Sequence, residues 1–447
     1  MKAFTEPLLS LAGFEEMTKT AEKSSGLISV TGCIDAQKSQ MIYAFGGHRK
    51  NKLIVTFGEQ KAKELYDEYS FFDKEVVYYP SKDVLFYQSD IRGNLLTAER
   101  IRALKAIREQ ERVTLVTTFD ALMNTMAPIE KMWENVLTLE QEQLLDLKEI
   151  QAALIRMGYE KEYQVQTMGQ FSVRGGILDV FPLTEENPIR IELWGDEIDT
   201  IRYFDCESQK SIENIEQVSI YPAAELVLSD EEKAGGIEKL KAEAKRVSDK
   251  LRKQMKTEEA HRVTVMADEL TEEWGELSMY AGMDAFLSYF FDERVGILDY
   301  FKPSDSLIFF DELTRCTEQG KLTETEFSES MKQRLAMGYI LPGQMNGLFT
   351  EKEIVAKLEK YSCIALGALD NKANGLHQLG SYGIHCQSVS PYNNSFELLI
   401  KDLKRYKKNG YRVILLSGSR TRAKRLSEDI TDQGITCFYT ENYDHEL

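Results

Sequence analysis

Four stretches of the chain carry residue types at spacings that suggest chemistry. After the apolar run Leu27–Val30 comes Gly32-Cys33-Ile34-Asp35-Ala36-Gln37-Lys38-Ser39. A phosphate-binding loop needs G-x-x-x-x-G-K-[ST] between a strand and a helix, so that backbone N–H groups surround the phosphates. Gly32, Lys38 and Ser39 stand at the required spacing. The second glycine is replaced by Gln37, whose side chain crowds the nest, and Asp35 adds an anion inside it. The expectation is a decayed loop that only joins strand to helix, with ATP binding as the alternative. The apolar run Leu307–Phe310 ends in Asp311-Glu312. That is the form of a box in which Asp holds Mg²⁺ and Glu polarises water. Any strand ending in two acids would match it. With Gln37 opposite, the two stretches read as the relic of a motor-type ATPase core.

The third stretch is Ile189-Arg190-Ile191-Glu192-Leu193-Trp194. Strand alternation sends Ile189, Ile191 and Leu193 to one face and Arg190, Glu192 and Trp194 to the other. In Phe171-Ser172-Val173-Arg174 the same rule turns Phe171 and Val173 inward and Arg174 outward. An outward Trp beside outward Arg has the composition of an interface hot spot. Equally, Trp194 could pack under a neighbouring loop while both arginines bind local acids. The fourth stretch is a basic cluster from Lys401 to Arg425, ten cations against the single acid Asp402. It reads as a nucleic-acid or acidic-partner contact, or as solubilising helix faces, since no aromatic stacking series accompanies the charges. The five histidines show neither a Ser-His-Asp nor a metal-ligand pattern, so no catalytic residue, metal or cofactor is assigned.

The elements that position these residues follow from periodicity. Apolar strands at Leu27–Val30, Leu53–Phe57, Val76–Tyr79 and Val113–Thr117, separated by amphipathic helices such as Thr97–Glu109, indicate a parallel sheet covered on both faces. Residues 139–157 read as one helix with Leu144, Leu147, Ile150, Leu154 and Met157 on its core face, closed by Gly158. From 163 to 221, short strands at Gln170–Arg174, Ile177–Phe181, Ile189–Trp194, Ile198–Phe204 and Val218–Tyr221 give a small antiparallel domain inserted into an α/β chain. Residues 229–260 read as a long, charged, exposed helix. The stretch 342–350 reads as a linker to a second small α/β unit with strands Cys363–Leu366 and Arg412–Leu416 and helices Phe396–Lys407 and Arg420–Ile430.

Composition bounds the classes. At 447 residues, 43% hydrophobic and 10% aromatic, the chain suggests about three domains with real cores. A net charge of −18 argues against coating nucleic acid by bulk electrostatics. The six cysteines form no CxxC pair, which fits free thiols in a reducing cytosol. No apolar run reaches membrane-spanning length, and the acids at Glu6, Glu15 and Glu16 come too early for a signal peptide. A cytoplasmic location is expected.

The run Gly169-Gln170-Phe171-Ser172-Val173-Arg174-Gly175-Gly176-Ile177-Leu178-Asp179-Val180-Phe181-Pro182, followed by Ile189 to Ile198 with Gly195-Asp196-Glu197, resembles the UvrA-binding domain shared by UvrB and the bacterial transcription-repair coupling factor (Mfd) family. Pro80-Ser81-Lys82-Asp83, Ile91-Arg92-Gly93-Asn94 and Ala98-Glu99-Arg100 resemble the first domain of the Mfd family. The resemblance implies a degenerate helicase-like, P-loop NTPase-type parallel α/β domain at 1–130, a UvrA-binding β-rich domain at 131–222, a domain at 223–342 that completes the UvrB-like module, and a small C-terminal α/β domain at 350–447. It implies UvrA contacts at Arg174, Arg190 and Trp194, and no ATP turnover at Gly32, Lys38, Ser39, Asp311 and Glu312. The sixteen residues between Pro80 and Thr97 are too few for the long DNA-clamping hairpin of UvrB. The family's RNA-polymerase-binding module, its ATP- and Mg-using translocase motors on DNA, and its C-terminal domain are expected beyond Leu447, the last of these covering the UvrA face in the intact protein. The expected function is recruitment of nucleotide excision repair to a stalled polymerase. The alternatives are an ATPase or DNA-remodelling domain working through Lys38, Ser39, Asp311 and Glu312, and a DNA-binding module using Lys401–Arg425.

Overall fold

The computed structural model describes residues 1–45, 49–82, 93–276, 283–369 and 375–444. Most of the segment between Pro80 and Thr97, on which the hairpin argument rests, lies outside them. The strands are β1 (Gly26–Thr31), β2 (Asn51–Thr56), β3 (Val77–Tyr79), β4 (Thr114–Thr118), β5 (Leu137–Glu140), β6 (Glu160–Lys161), β7 (Gln170–Arg174), β8 (Ile177–Val180), β9 (Ile189–Trp194), β10 (Glu197–Phe204), β11 (Ser211–Ile215), β12 (Gln217–Ile220), β13 (Ser306–Asp311), β14 (Ser362–Gly367) and β15 (Gln378–Gly383).

Among the described residues, seven strands form one sheet in the order β15-β1-β14-β13-β2-β4-β3, with every pairing parallel. Successive residues of each strand feed opposite cores. Leu307 and Phe309 enter one cluster with Ile28, Val30, Ile54 and Ile364, while Ile308 and Phe310 enter another with Leu53, Val55, Cys363 and Ala365. Such double-sided burial is why these strands read as continuous apolar runs. The strand at 362–367, expected in a separate unit after a linker, pairs with both β1 and β13 and belongs to the large sheet. The stretch 342–350 is packed rather than free: Pro342–Asn346 is a 3₁₀ turn, and Gln344, Leu348 and Phe349 are buried.

The second sheet runs β11-β10-β9-β8-β7-β6, antiparallel except for the short β6–β7 pair. Its inner face carries Phe171, Leu178, Val180, Ile189, Ile191, Ile198 and Ile201, and the helix Leu147–Arg156 covers it with Ile150 and Leu154. The expected helix over 139–157 is therefore shorter. Residues 137–140 are strand β5, paired with β12, and Asp146 caps the helix by accepting from the Lys148 and Glu149 N–H groups. A capping Asp satisfies amide donors of the first turn, so the helix starts there and not at Leu139.

The charged stretch after 229 forms two antiparallel helices, Asp230–Lys253 and Thr257–Glu276, which bury Leu240, Ala244, Ala260 and Val263 against Phe286 and Phe290. It is thus not wholly a solvated face. Near the C-terminus the helices Phe396–Lys408 and Arg420–Asp432 share a small core of Ile400, Leu403, Ile430 and Ile435. The expected strand Arg412–Leu416 makes no strand pairing, and Val413 to Leu416 are exposed. Its expected neighbour, 362–367, is held in the large sheet instead.

The two sheets are tied by a buried ion pair. Arg100 donates to both Glu225 oxygens (2.7 and 3.1 Å) and to the Pro80 carbonyl (2.6 Å), and lies 4.0 Å from the Tyr79 ring centroid. Lys82 adds a second cation 3.1 Å from Glu225. Burial alone would raise the Glu225 pKa, but Arg100 and Lys82 hold it well below the usual glutamate range. Removing one partner of such a pair strands a buried charge at a cost of about 3–5 kcal/mol. Arg100→Ala is expected to lower the unfolding free energy by that amount in urea titrations at pH 7. A depressed carboxyl stabilises above its unfolded pKa and loses that stabilisation as pH falls. The Arg100→Ala deficit should therefore shrink as the titration is repeated at pH 4 and below.

Candidate protein-binding site

Strand register decides what the small sheet shows to solvent. Asp179 of β8 stands opposite Arg190 of β9, and Glu192 stands opposite Thr200 of β10. Paired residues project to the same face. The outer face thus presents Arg174, Asp179, Arg190, Glu192, Thr200, Arg202 and Trp194, while the interleaved residues fill the core.

Asp179 is the centre of this face, with its side chain only 1% exposed. Arg190 grips it with two bonds, Nε to Oδ1 at 2.6 Å and Nη2 to Oδ2 at 2.8 Å, and also reaches Gln209 Oε1 at 2.8 Å. The same guanidinium lies 4.3 Å from the Phe204 ring centroid. Hydrogen bonding to Asp179 raises the Arg190 pKa above its ordinary value, against desolvation. Arg174 donates Nη2 to Asp179 Oδ2 at 2.8 Å. Beside this triad, Arg202 clamps Glu192 through both oxygens, 2.5 and 2.8 Å, and Thr200 donates to it at 3.2 Å. The bond from Arg202 lowers the Glu192 pKa.

The structure holds one geometric feature from each reading of the third motif. Trp194 does not pack under a loop; it is 85% exposed at the end of β9, where the turn Gly195-Asp196 (Gly195 φ 66°) reverses the chain into β10. Both arginines do bind a local acid. Arg190 is 12% exposed and Arg174 36%, so Arg174 offers the more accessible cation. The residue that sequence reasoning misses is Asp179. The signal for it was an acid flanked by Leu178 and Val180 in a strand, which demands a cation opposite.

The first two stretches meet at the strand ends of the large sheet, and the basic cluster lies on the two C-terminal helices and the segment between them. Lys38, at 1% exposure, places its ammonium 2.5 Å from Asp311 Oδ1, 2.9 Å from Asp35 Oδ1 and 3.2 Å from Glu312 Oε1. Thr56 donates to the second Asp311 oxygen, and Ser39 donates to Glu68. Burial disfavours the Lys38 charge, yet Asp311, Asp35 and Glu312 outweigh it and raise its pKa. The loop amides are also engaged: Gly32 N–H donates to Ala368 O and Cys33 N–H to Gly367 O. A Cβ on Gly32 (φ +81°) would stand 2.1 Å from the Ile384 carbonyl oxygen, and Cys386 Sγ donates to Gln37 Oε1, so residues 384–386 lie across the turn. The structure brings Lys38 of the first stretch against Asp311 and Glu312 of the second. The ten cations from Lys401 to Arg425 are all exposed, spread over two helices and the segment between them. No His/Cys/Asp/Glu group among the described residues is arranged to hold a metal, and no described helix is long and apolar enough to cross a membrane.

Residues 137–226 match the family described as the UvrB interaction domain. That interval runs from β5 through the whole outer face to Glu225 and the residue after it. Over 391 residues the chain is 26% identical to the transcription-repair-coupling factor of Bacillus subtilis (strain 168), covering 87% of this chain and 33% of that protein. The factor of Staphylococcus haemolyticus (strain JCSC1435) is 25% identical over 418 residues, 91% of this chain and 34% of its own length. That of Staphylococcus aureus (strain MRSA252) is 26% identical over 435 residues, 94% and 35%. The chain is similar to the transcription-repair-coupling factors over about nine-tenths of its length. It spans about a third of the length of the curated relatives it matches.

Because Arg190 is internally bonded and Trp194 is not, their truncations should part in a stability measurement. Trp194→Ala is expected to leave the urea midpoint within about 0.5 kcal/mol of the parent, as for a surface substitution. Arg190→Ala, which leaves Asp179 a single donor, should cost about 1–3 kcal/mol.

Proposed function

We propose that this chain is a recruitment module of transcription-coupled nucleotide excision repair. The outer face of β7–β10 docks UvrA, with Trp194 as the apolar anchor, Arg174 as the accessible cation, and Arg190 fixed beside them by Asp179. The carrying observation is an indole 85% exposed at the end of a face whose Arg174, Asp179, Arg190, Glu192 and Arg202 are paired, inside the interval similar to the UvrB interaction domain. An exposed Trp beside Arg is the composition in which truncation costs binding partners most. RNA polymerase and DNA are partners of the wider system in this reading, and the ATP-driven translocation that moves DNA is assigned outside the matched third.

This region turns over no ATP in the proposal. Three carboxylates hold the Lys38 ammonium, the Gly32 and Cys33 amides are bonded to carbonyls, and residues 384–386 cross the turn. Phosphate would have to displace all of these at once. The large parallel sheet is accordingly read as a helicase-like core that has kept its scaffold and closed its nucleotide site.

Two measurements test this reading. Purified UvrA should bind the chain, and Trp194→Ala should weaken that binding by about 2 kcal/mol or more without loss of folding, read by titration calorimetry; wild-type affinity in the Arg174, Arg190 and Trp194 triple-alanine variant would refute it. Titration with Mg-ATP should give no saturable heat, and tight binding abolished by Lys38→Ala would restore the ATPase alternative. Steeply salt-dependent duplex binding lost on neutralising Lys401 to Arg425 would instead favour a DNA-binding module.

A further inference from the structure

Periodicity placed Leu144 on the core face of a helix, and the structure does not. Leu144 is 75% exposed, and it forms an isolated antiparallel bridge with Glu197. Leu145 N–H donates to Asp196 O at 2.7 Å and Ile198 N–H to Gln143 O at 2.9 Å. These two bonds flank the bridge, so Leu144 and Glu197 are a non-hydrogen-bonded pair, the kind whose side chains approach most closely and share a face. Glu197 is in turn the partner of Trp194 across the turn at Gly195-Asp196. Trp194, Glu197 and Leu144 therefore form one row across three adjacent backbone segments, all on the outer face. Two strand spacings of about 4.8 Å put the apolar ends of the row roughly 10 Å apart.

The row is unlike the rest of that face. Arg174, Arg190, Glu192 and Arg202 are all bonded within the domain. Trp194 and Leu144 are bare, and the Glu197 carboxylate between them has no hydrogen-bond or ion-pair partner among the described residues. The next residue along, Leu145, is buried in the domain core, so folding is served without a leucine at 144. A single exposed leucine needs no explanation, but two large apolar side chains flanking an unpaired acid make a patch continuous with the proposed docking face.

We propose that Leu144 is a second apolar anchor of the UvrA-docking face and that Glu197 meets a cation or N–H donor of the same partner. This rests on the reading in the preceding subsection and extends it. The partner surface then carries two apolar depressions about 10 Å apart, as the strand spacing requires, with a basic or amide group between them. The face is wider than the three residues named from the motif, and its specificity lies in the spacing of the two anchors.

Affinity for purified UvrA, measured by calorimetry on the full chain, tests this with Leu144→Ser, Leu144→Met and Trp194→Ala beside the parent. Leu144→Ser should weaken binding about tenfold with an unchanged thermal midpoint, and Leu144→Met should stay within about threefold of the parent. Trp194→Ala should lose affinity in the same series. Parental affinity in Leu144→Ser, with Trp194→Ala impaired, would overturn the second anchor and leave the docking face standing. Failure of the parent to bind UvrA would overturn both.

Discussion

The outer face of the small sheet depends on one buried carboxylate. Asp179 sits between Leu178 and Val180 in a strand whose neighbours feed an apolar core, a position where an unpaired charge would be prohibitively costly. Arg190 directly opposite, and Arg174 diagonally across, satisfy it. Once Asp179 is held, the register of β7, β8 and β9 is held with it, because a one-residue slip would bury the arginines and expose the isoleucines. The backbone that carries the indole at the end of β9 is thereby fixed in place.

Similar chemistry has the opposite consequence on the large sheet. There a buried lysine is surrounded by Asp311, Asp35 and Glu312. Charge pairing in the small sheet runs beside an exposed indole; charge pairing at the strand ends of the large sheet buries a lysine among carboxylates. The Arg100–Glu225 pair joins the two units close to where the chain leaves the small domain, so the displayed face is carried on a braced frame.

Much of this was legible in the sequence. Period-two alternation in β7 and β9 identified the outward set, and continuous apolar runs identified the buried parallel strands. The misreadings share a cause: short apolar segments do not say which neighbour they will pair with. Cys363–Leu366 looked like the start of a new unit because its partners, β1 and β13, are far away in sequence. Leu144 fitted a helical face by spacing and the helix was expected to start at residue 139, but long-range pairing of Leu139 with Val218 and of Leu144 with Glu197 overrode both. Asp179 went unassigned because alternation tells which face a residue occupies and says nothing of what lies across the ladder.

Oxidative footprinting by hydroxyl radicals tests the central claim most directly, since tryptophan reactivity tracks exposure of its ring. In the free chain Trp194 should be the most readily modified of the three tryptophans, and saturating UvrA should suppress that modification while leaving the peptides from Lys401 to Arg425 unchanged. Undiminished oxidation of Trp194 in a complex that has demonstrably formed would contradict the account.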